Sequence, residues 1–157
     1  MSAVLQEKSQ QMFRWVTFRL ADETYGINVM QVQEVLRMTD VAPVPGSPHY
    51  VMGIINLRGN VVTVLDTRKL LDLSAGDITE SSRIMIIESG KVTVGLLVDS
   101  VAEVVNIASS DIDPPPSVGN DEGSRYIQGI YSSEQQILIL IDLNKLIADD
   151  HRDMGLF

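Results

Sequence analysis

Between residues 15 and 20 the chain reads "WVTFRL", apolar and polar positions alternating with a period of two. Short runs of the same character recur as "TYGINV" (24–29), "YVMGII" (50–55), "VVTVL" (61–65), "RIMII" (83–87), "VTVGLLV" (92–98), "YIQGIY" (126–131) and "QILILI" (136–141). They are rich in Val, Ile, Thr and Tyr and bounded by Gly, Pro, Asp or Ser, which predicts strands divided by turns and a mainly β protein. Helical spacing is rarer. "MQVQEVLRM" (30–38) has room for a helical turn or two, and "DTRKLLDL" (66–73) and "DLNKLIADD" (142–150) read as short helices that follow strands. The polar stretches 73–82 and 113–124, carrying Gly or Pro, are expected to be exposed loops.

The pattern repeats. Residues 14–36, "RWVTFRLADETYGINVMQVQEVL", lie without a gap on 83–105, "RIMIIESGKVTVGLLVDSVAEVV", with Thr24/Thr93, Gly26/Gly95, Val32/Val101, Glu34/Glu103 and Val35/Val104 coinciding. After a longer loop in the second copy, residues 50–71 lie on 126–147, with Tyr50/Tyr126, Gly53/Gly129, Asp66/Asp142 and Lys69/Lys145 coinciding. The chain is therefore a tandem of one unit, with copies at 14–71 and 83–147 between an N-terminal extension (1–13) and a C-terminal tail (148–157). Four or five short antiparallel strands per unit close most readily into a small barrel, so two barrels are expected. A repeat is cyclic, so it does not say whether strands are exchanged between them.

Composition narrows the function. With 157 residues, 45% of them hydrophobic, the chain can build a real core. A net charge of −9 repels phosphate backbones, so nucleic acid is not an expected partner. The absence of cysteine excludes disulfides, thiolate metal sites and cysteine nucleophiles, and suits a cytoplasmic chain. The N-terminus lacks the pattern of a signal peptide, and no run of about 18 apolar residues predicts a membrane span.

Two copies of one fold provide an internal control, since shared positions serve the fold and differing positions are free to serve something else. The shared glycines read as backbone requirements, and Asp66 and Asp142 as caps of the short helices after them. "NLRG" (56–59) faces "SSEQ" (132–135) in the other copy, so the fold does not require Arg58. A hairpin turn accounts for Gly59 and Asn60, leaving Arg58 either as an ordinary surface arginine or as a forked donor offered to a partner from a water-excluding apolar surround. A second candidate surface is "MQVQEVLRMTDVAPVPGSP" (30–48). There Val32 and Val35 are expected in the core, while Val41 and Val44, among three prolines, form a stiff apolar rim suited to docking.

Reaction chemistry is poorly represented. His49 and His151 have no ligand-spaced neighbours, and no phosphate loop or nucleophile elbow occurs, so neither a metal nor another cofactor nor a small-molecule substrate is expected. One enzyme reading is worth weighing, because duplicated β halves with equivalent aspartates are what an aspartic protease uses. The glycine its Asp-Thr-Gly loop needs is, however, Arg68 after "LDT" and Asn144 in the other half.

The motifs "TYGINVMQVQEVL", "VPGSPHYVMGIINLRGNVVTVLDTR", "VGLLVDSVAEVV" and "YIQGIYSSEQQILILIDLNKLI", in this order, resemble the CheW coupling proteins of bacterial chemotaxis over residues 14–147. The resemblance implies an all-β fold of two intertwined five-stranded barrels with a few short helices. It implies a non-enzymatic adaptor, not itself inserted in the membrane, that links chemoreceptor tips to the histidine kinase CheA in a membrane-associated array. Carried over by position, a receptor-facing surface would include Val32, Arg58, Val101 and Val104, and a kinase-facing surface Glu34, Val41 and Val44. Thr63 and Thr67 depart from the proline and leucine usual in the family, which implies adjusted strand packing rather than lost coupling. A related array with another output is the alternative within the same class.

Overall fold

The computed structural model of the protein describes residues 11–115 and 123–146. Most of the N-terminal extension, part of the 113–124 loop, His151 and the C-terminal tail lie outside the described residues.

The alternating runs form strands, as their branched side chains and bounding turn residues require. In chain order these are β1 (Met12–Leu20), β2 (Glu23–Asn28), β3 (Val32–Arg37), β4 (Val51–Leu57), β5 (Asn60–Asp66), β6 (Arg83–Ser89), β7 (Val92–Val98), β8 (Ser100–Ala108), β9 (Ile127–Ser132) and β10 (Ile137–Ile141). They build two five-stranded sheets, ordered β8-β1-β2-β10-β9 and β3-β6-β7-β5-β4. Each sheet combines two leading strands from one repeat with three trailing strands from the other. The exchange that the repeat left open is thus present: each copy starts in one sheet and finishes in the other.

The central pairings are parallel, Leu140 opposite Gly26 and Val64 opposite Gly95, and the outer ones antiparallel. The free edges of each sheet are drawn together by a bridge from the segment after its third-position strand. Ala42, beyond β3, exchanges two hydrogen bonds of 2.9 Å with Ile54 of β4, and Asp113, beyond β8, does the same with Ile130 of β9. Both sheets thereby curl into barrels, which leaves little ladder unpaired.

Three apolar clusters hold this together. Trp15, Ile107, Leu138 and Leu140 fill one barrel, and Ile55, Val62, Val64, Ile84 and Ile86 fill the other. Trp15, Leu138 and Leu140 are the repeat equivalents of Ile84, Val62 and Val64, so the shared pattern records one packing solution used twice. The largest cluster lies between the sheets and includes Phe18, Leu20, Ile27, Leu65, Met85, Ile87 and Leu96.

Two strands depart from the expectation. Residues 30–38 were expected to hold a helical turn or two, and only the 3-10 turn Val29–Gln31 supplies it, its amide at Met30 donating to the Asn28 side chain at 2.9 Å. The rest is β3, and the equivalent stretch in the second copy is β8. The apolar spacing 32, 35, 36 looks helical because a bulge between Val32 and Glu34 breaks the two-residue period. A register shift at the equivalent point, opposite Val16 and Phe18, disturbs β8 in the same way.

The short helices follow the expected plan. The turn α1 (Thr67–Leu70) is capped by Asp66, whose carboxylate accepts from the amides of Arg68 and Lys69. Residues 143–146 are helical too, with Asp142 accepting from the Lys145 amide at 3.2 Å. Gly53 is a requirement of close packing: a Cβ there would lie 2.2 Å from the Ala42 carbonyl oxygen that bridges back to β4.

Candidate docking surface

Leu57 pairs with Asn60, so the hairpin between β4 and β5 turns on two residues, Arg58 and Gly59. Both have positive φ, 51° and 88°, as the right-handed twist of the flanking strands demands of so short a loop. The Gly59 amide donates to Asn56 Oδ1 at 2.9 Å, closing the turn. The expectation that Gly59 and Asn60 supply the turn is corrected here: Asn60 opens β5, and the first left-handed position falls on Arg58. Its backbone is therefore part of the turn, which pins the base of a long cationic side chain.

The guanidinium itself is 69% exposed, so the water-excluding surround expected for it is absent. It forms a forked pair with Glu34 of β3, Nη1 donating to Oε1 at 3.2 Å and Nη2 to Oε2 at 2.5 Å. The hydrogen bonds from Arg58 hold the Glu34 carboxyl below its ordinary range despite some desolvation, and the same contact raises Arg58. Because β3 and β4 are opposite ends of one sheet order, the fork joins the two lips of the barrel. Exposed to water and salt, it contributes little to stability and fixes an orientation instead.

The other residues singled out from sequence scatter. Val32 and Val101, repeat equivalents, both pack partly buried against the central cluster, on different barrels. Val104 projects from β8 with 45% exposure, and its equivalent Val35, expected in the core, is 40% exposed. The reason is the bulge, which turns Val35 to the outer face. Val41 packs against the interior of the Arg58 barrel, and Val44 caps a turn in which its carbonyl accepts from the Ser47 amide at 3.2 Å and hydroxyl at 2.7 Å. Gly46, with φ of 81°, makes that turn possible after Pro45. So Arg58 and Glu34, assigned by resemblance to different faces, occupy one.

Two positions escaped the sequence reading. Met30, at the crossing from β2 to β3, is 86% exposed. Its equivalent at the crossing from β7 to β8 is Asp99, whose carboxylate accepts from Arg68 Nε at 3.0 Å, from Arg68 Nη2 and from the Ala21 amide at 2.8 Å. Partial burial works against this carboxylate, but the bonds from Arg68 and Ala21 outweigh it and set its pKa below the usual range. Arg68 also donates to the Ser74 carbonyl at 3.1 Å. The comparison of copies held the signal, since Arg68 and Asp99 face Asn144 and Met30 in the other half.

Among the described residues no group of His, Asp and Glu is placed to hold a metal ion, and no helix is long and apolar enough to cross a membrane. The described surface thus presents an oriented cation on one barrel and an exposed valine on each, Val35 and Val104. Comparison with known proteins gives the class. The family model described as CheW-like domain matches residues 14–151. The chain is 32% identical to a chemotaxis protein CheW of Treponema pallidum (strain Nichols), over 89% of this chain and 85% of that protein. It is 31% identical to Protein FrzA of Myxococcus xanthus, over 83% and 82% respectively. The crystal structure of the scaffolding protein TtCheW from Thermoanaerobacter tengcongensis superposes with a TM-score of 0.80 at 34% identity, covering 87% of this chain and 92% of that one. The chain belongs to the CheW family; it is a chemotaxis coupling and scaffold protein, not an enzyme.

Proposed function

We propose that this protein couples the cytoplasmic tips of chemoreceptors to the histidine kinase CheA, docking each on a different face and being recruited to membrane-associated arrays from the cytoplasm. The observation that carries the reading is the Arg58–Glu34 fork, an exposed feature that the second barrel does without. Arg58, Val32, Val101 and Val104 are the receptor-facing residues of this proposal, and Val41 and Val44 the kinase-facing ones. Glu34, assigned at first to the kinase side, is better grouped with the guanidinium it orients. The pairing supports one recognition unit: the carboxylate aims the guanidinium, whose remaining N–H groups are free to meet carbonyls or carboxylates of the partner. A second reading, an array with another output, is favoured by the match to Protein FrzA, which carries a different name.

Co-sedimentation with receptor-bearing membranes and with CheA tests the proposal, and a wild-type chain that joins neither rejects it. Arg58→Glu should weaken receptor capture about tenfold, the scale of a lost charged contact, while the melting temperature stays within about 2 °C of wild type, as for an exposed pair. The swap of Arg58→Glu with Glu34→Arg separates roles: it restores the internal pair, so recovered capture assigns the fork a purely internal role.

A further inference from the structure

Arg37 and Arg83 are direct cross-strand partners at the end of the β3–β6 ladder. Like charges so placed disfavour the sheet, and the fold does not ask for both. The equivalent pair in the other barrel is Arg14 opposite Asn106, so one of the two cations has been added on this side alone. Arg83 is aimed: its Nη1 donates at 2.8 Å to the carbonyls of both Glu80 and Ser82. Arg37 is exposed and, among the described residues, has no ion pair or side-chain hydrogen bond. Between them opens a hollow of about 530 Å³, lined also by Met38, Thr79 and Glu80. The lining thus holds two cationic residues and one acidic residue, Glu80, on a chain of net charge −9.

We propose that this hollow is a docking site for an acidic segment of a partner protein, one Asp or Glu carboxylate lying between the two guanidinium groups with the segment's aliphatic carbons against Met38. Neutralising two opposed cations at once relieves the repulsion the ladder carries, a gain open to an anionic guest and not to a neutral one. The hollow uses none of the residues assigned above to receptor or kinase, so the inference does not depend on which partners those surfaces take.

The test is a nitrogen-15 NMR titration of the full chain with a Glu-rich decapeptide and with its Gln counterpart. The arginine Nε–H signals of residues 37 and 83 should move with the acidic peptide only, and Arg37→Asn, which copies the other barrel, should weaken binding about fivefold, the scale of an exposed ion pair. That variant should melt no lower than wild type. Equal response to both peptides, unchanged affinity in the variant, or a variant that fails to fold would each overturn the proposal. So would movement of the same two signals, without any peptide, on replacing Asp149, Asp150 and Asp153 by Asn, because the occupant would then be this chain's own tail.

Discussion

At the scale of single residues, the ion pairs made by Arg58 and Arg68 differ in what they can do. The fork on Arg58 is open to water and orients a group, whereas Arg68–Asp99 is shielded, with side-chain exposures of 18% and 30%, and ties three segments together. Because the Asp99 carboxyl is depressed in the folded state, its contribution is complete above the unfolded-state value near about 3.9 and disappears as pH falls through the lower folded one. Asp99→Asn should therefore flatten the acid limb of the stability curve and cost about 1 kcal/mol at neutral pH, read from urea midpoints at a series of pH values. Thr67 is the opposite case, a buried hydroxyl with no partner at a place where the second copy has Leu143. Replacing it with valine removes an unsatisfied group at constant volume and should stabilise the fold by about 1 kcal/mol in the same assay. Sequence alone isolated Arg58 because a cation stood against an anion. It passed over Arg68 because its partner, 31 residues away, is brought near only by the crossing of strands.

Among the elements, β4 and β9 were legible although their ladders carry register shifts, because their apolar runs stay continuous, whereas β3 and β8 were not. In β3 and β8 the extra residue shifts the apolar positions to a helix-like spacing, and only pairing across the ladder reveals their extended form. The hairpin at Arg58 was placed one residue late for a related reason, since register with the partner strand, not residue preference, decides which two positions take positive φ. Barrel closure rests on contacts as local as these. Gly53→Ala would push a methyl into the Ala42 carbonyl, so the bridge to β4 must open; a loss of about 2–3 kcal/mol is expected in chemical denaturation. Gly59→Ala meets no neighbour within 4 Å and should cost only the backbone strain of its positive φ, about 1 kcal/mol, whereas Gly53, with φ of 153°, adds the clash to a strain of its own and should cost more.

For the whole molecule, two barrels of five strands were readable from the duplication, and the partition of strands between them was not, because both partitions satisfy the same internal repeat. The structure chooses the exchanged one, and a prediction follows for folding. A fragment of residues 14–71 contains the two leading strands of one sheet and the three trailing strands of the other, and so completes neither. It should give the NMR spectrum of an unfolded chain on its own, while the full chain melts in one calorimetric transition. A folded fragment, or two separate transitions, would contradict this. The exchange also bears on how load is carried. The backbone passes between the barrels at residues 29–31 and again at Asp99, the latter braced by Arg68, so a torque applied to one barrel is transmitted through covalent axles rather than through a face that can slide. Whatever grips the two halves is geared together: turning one must turn the other.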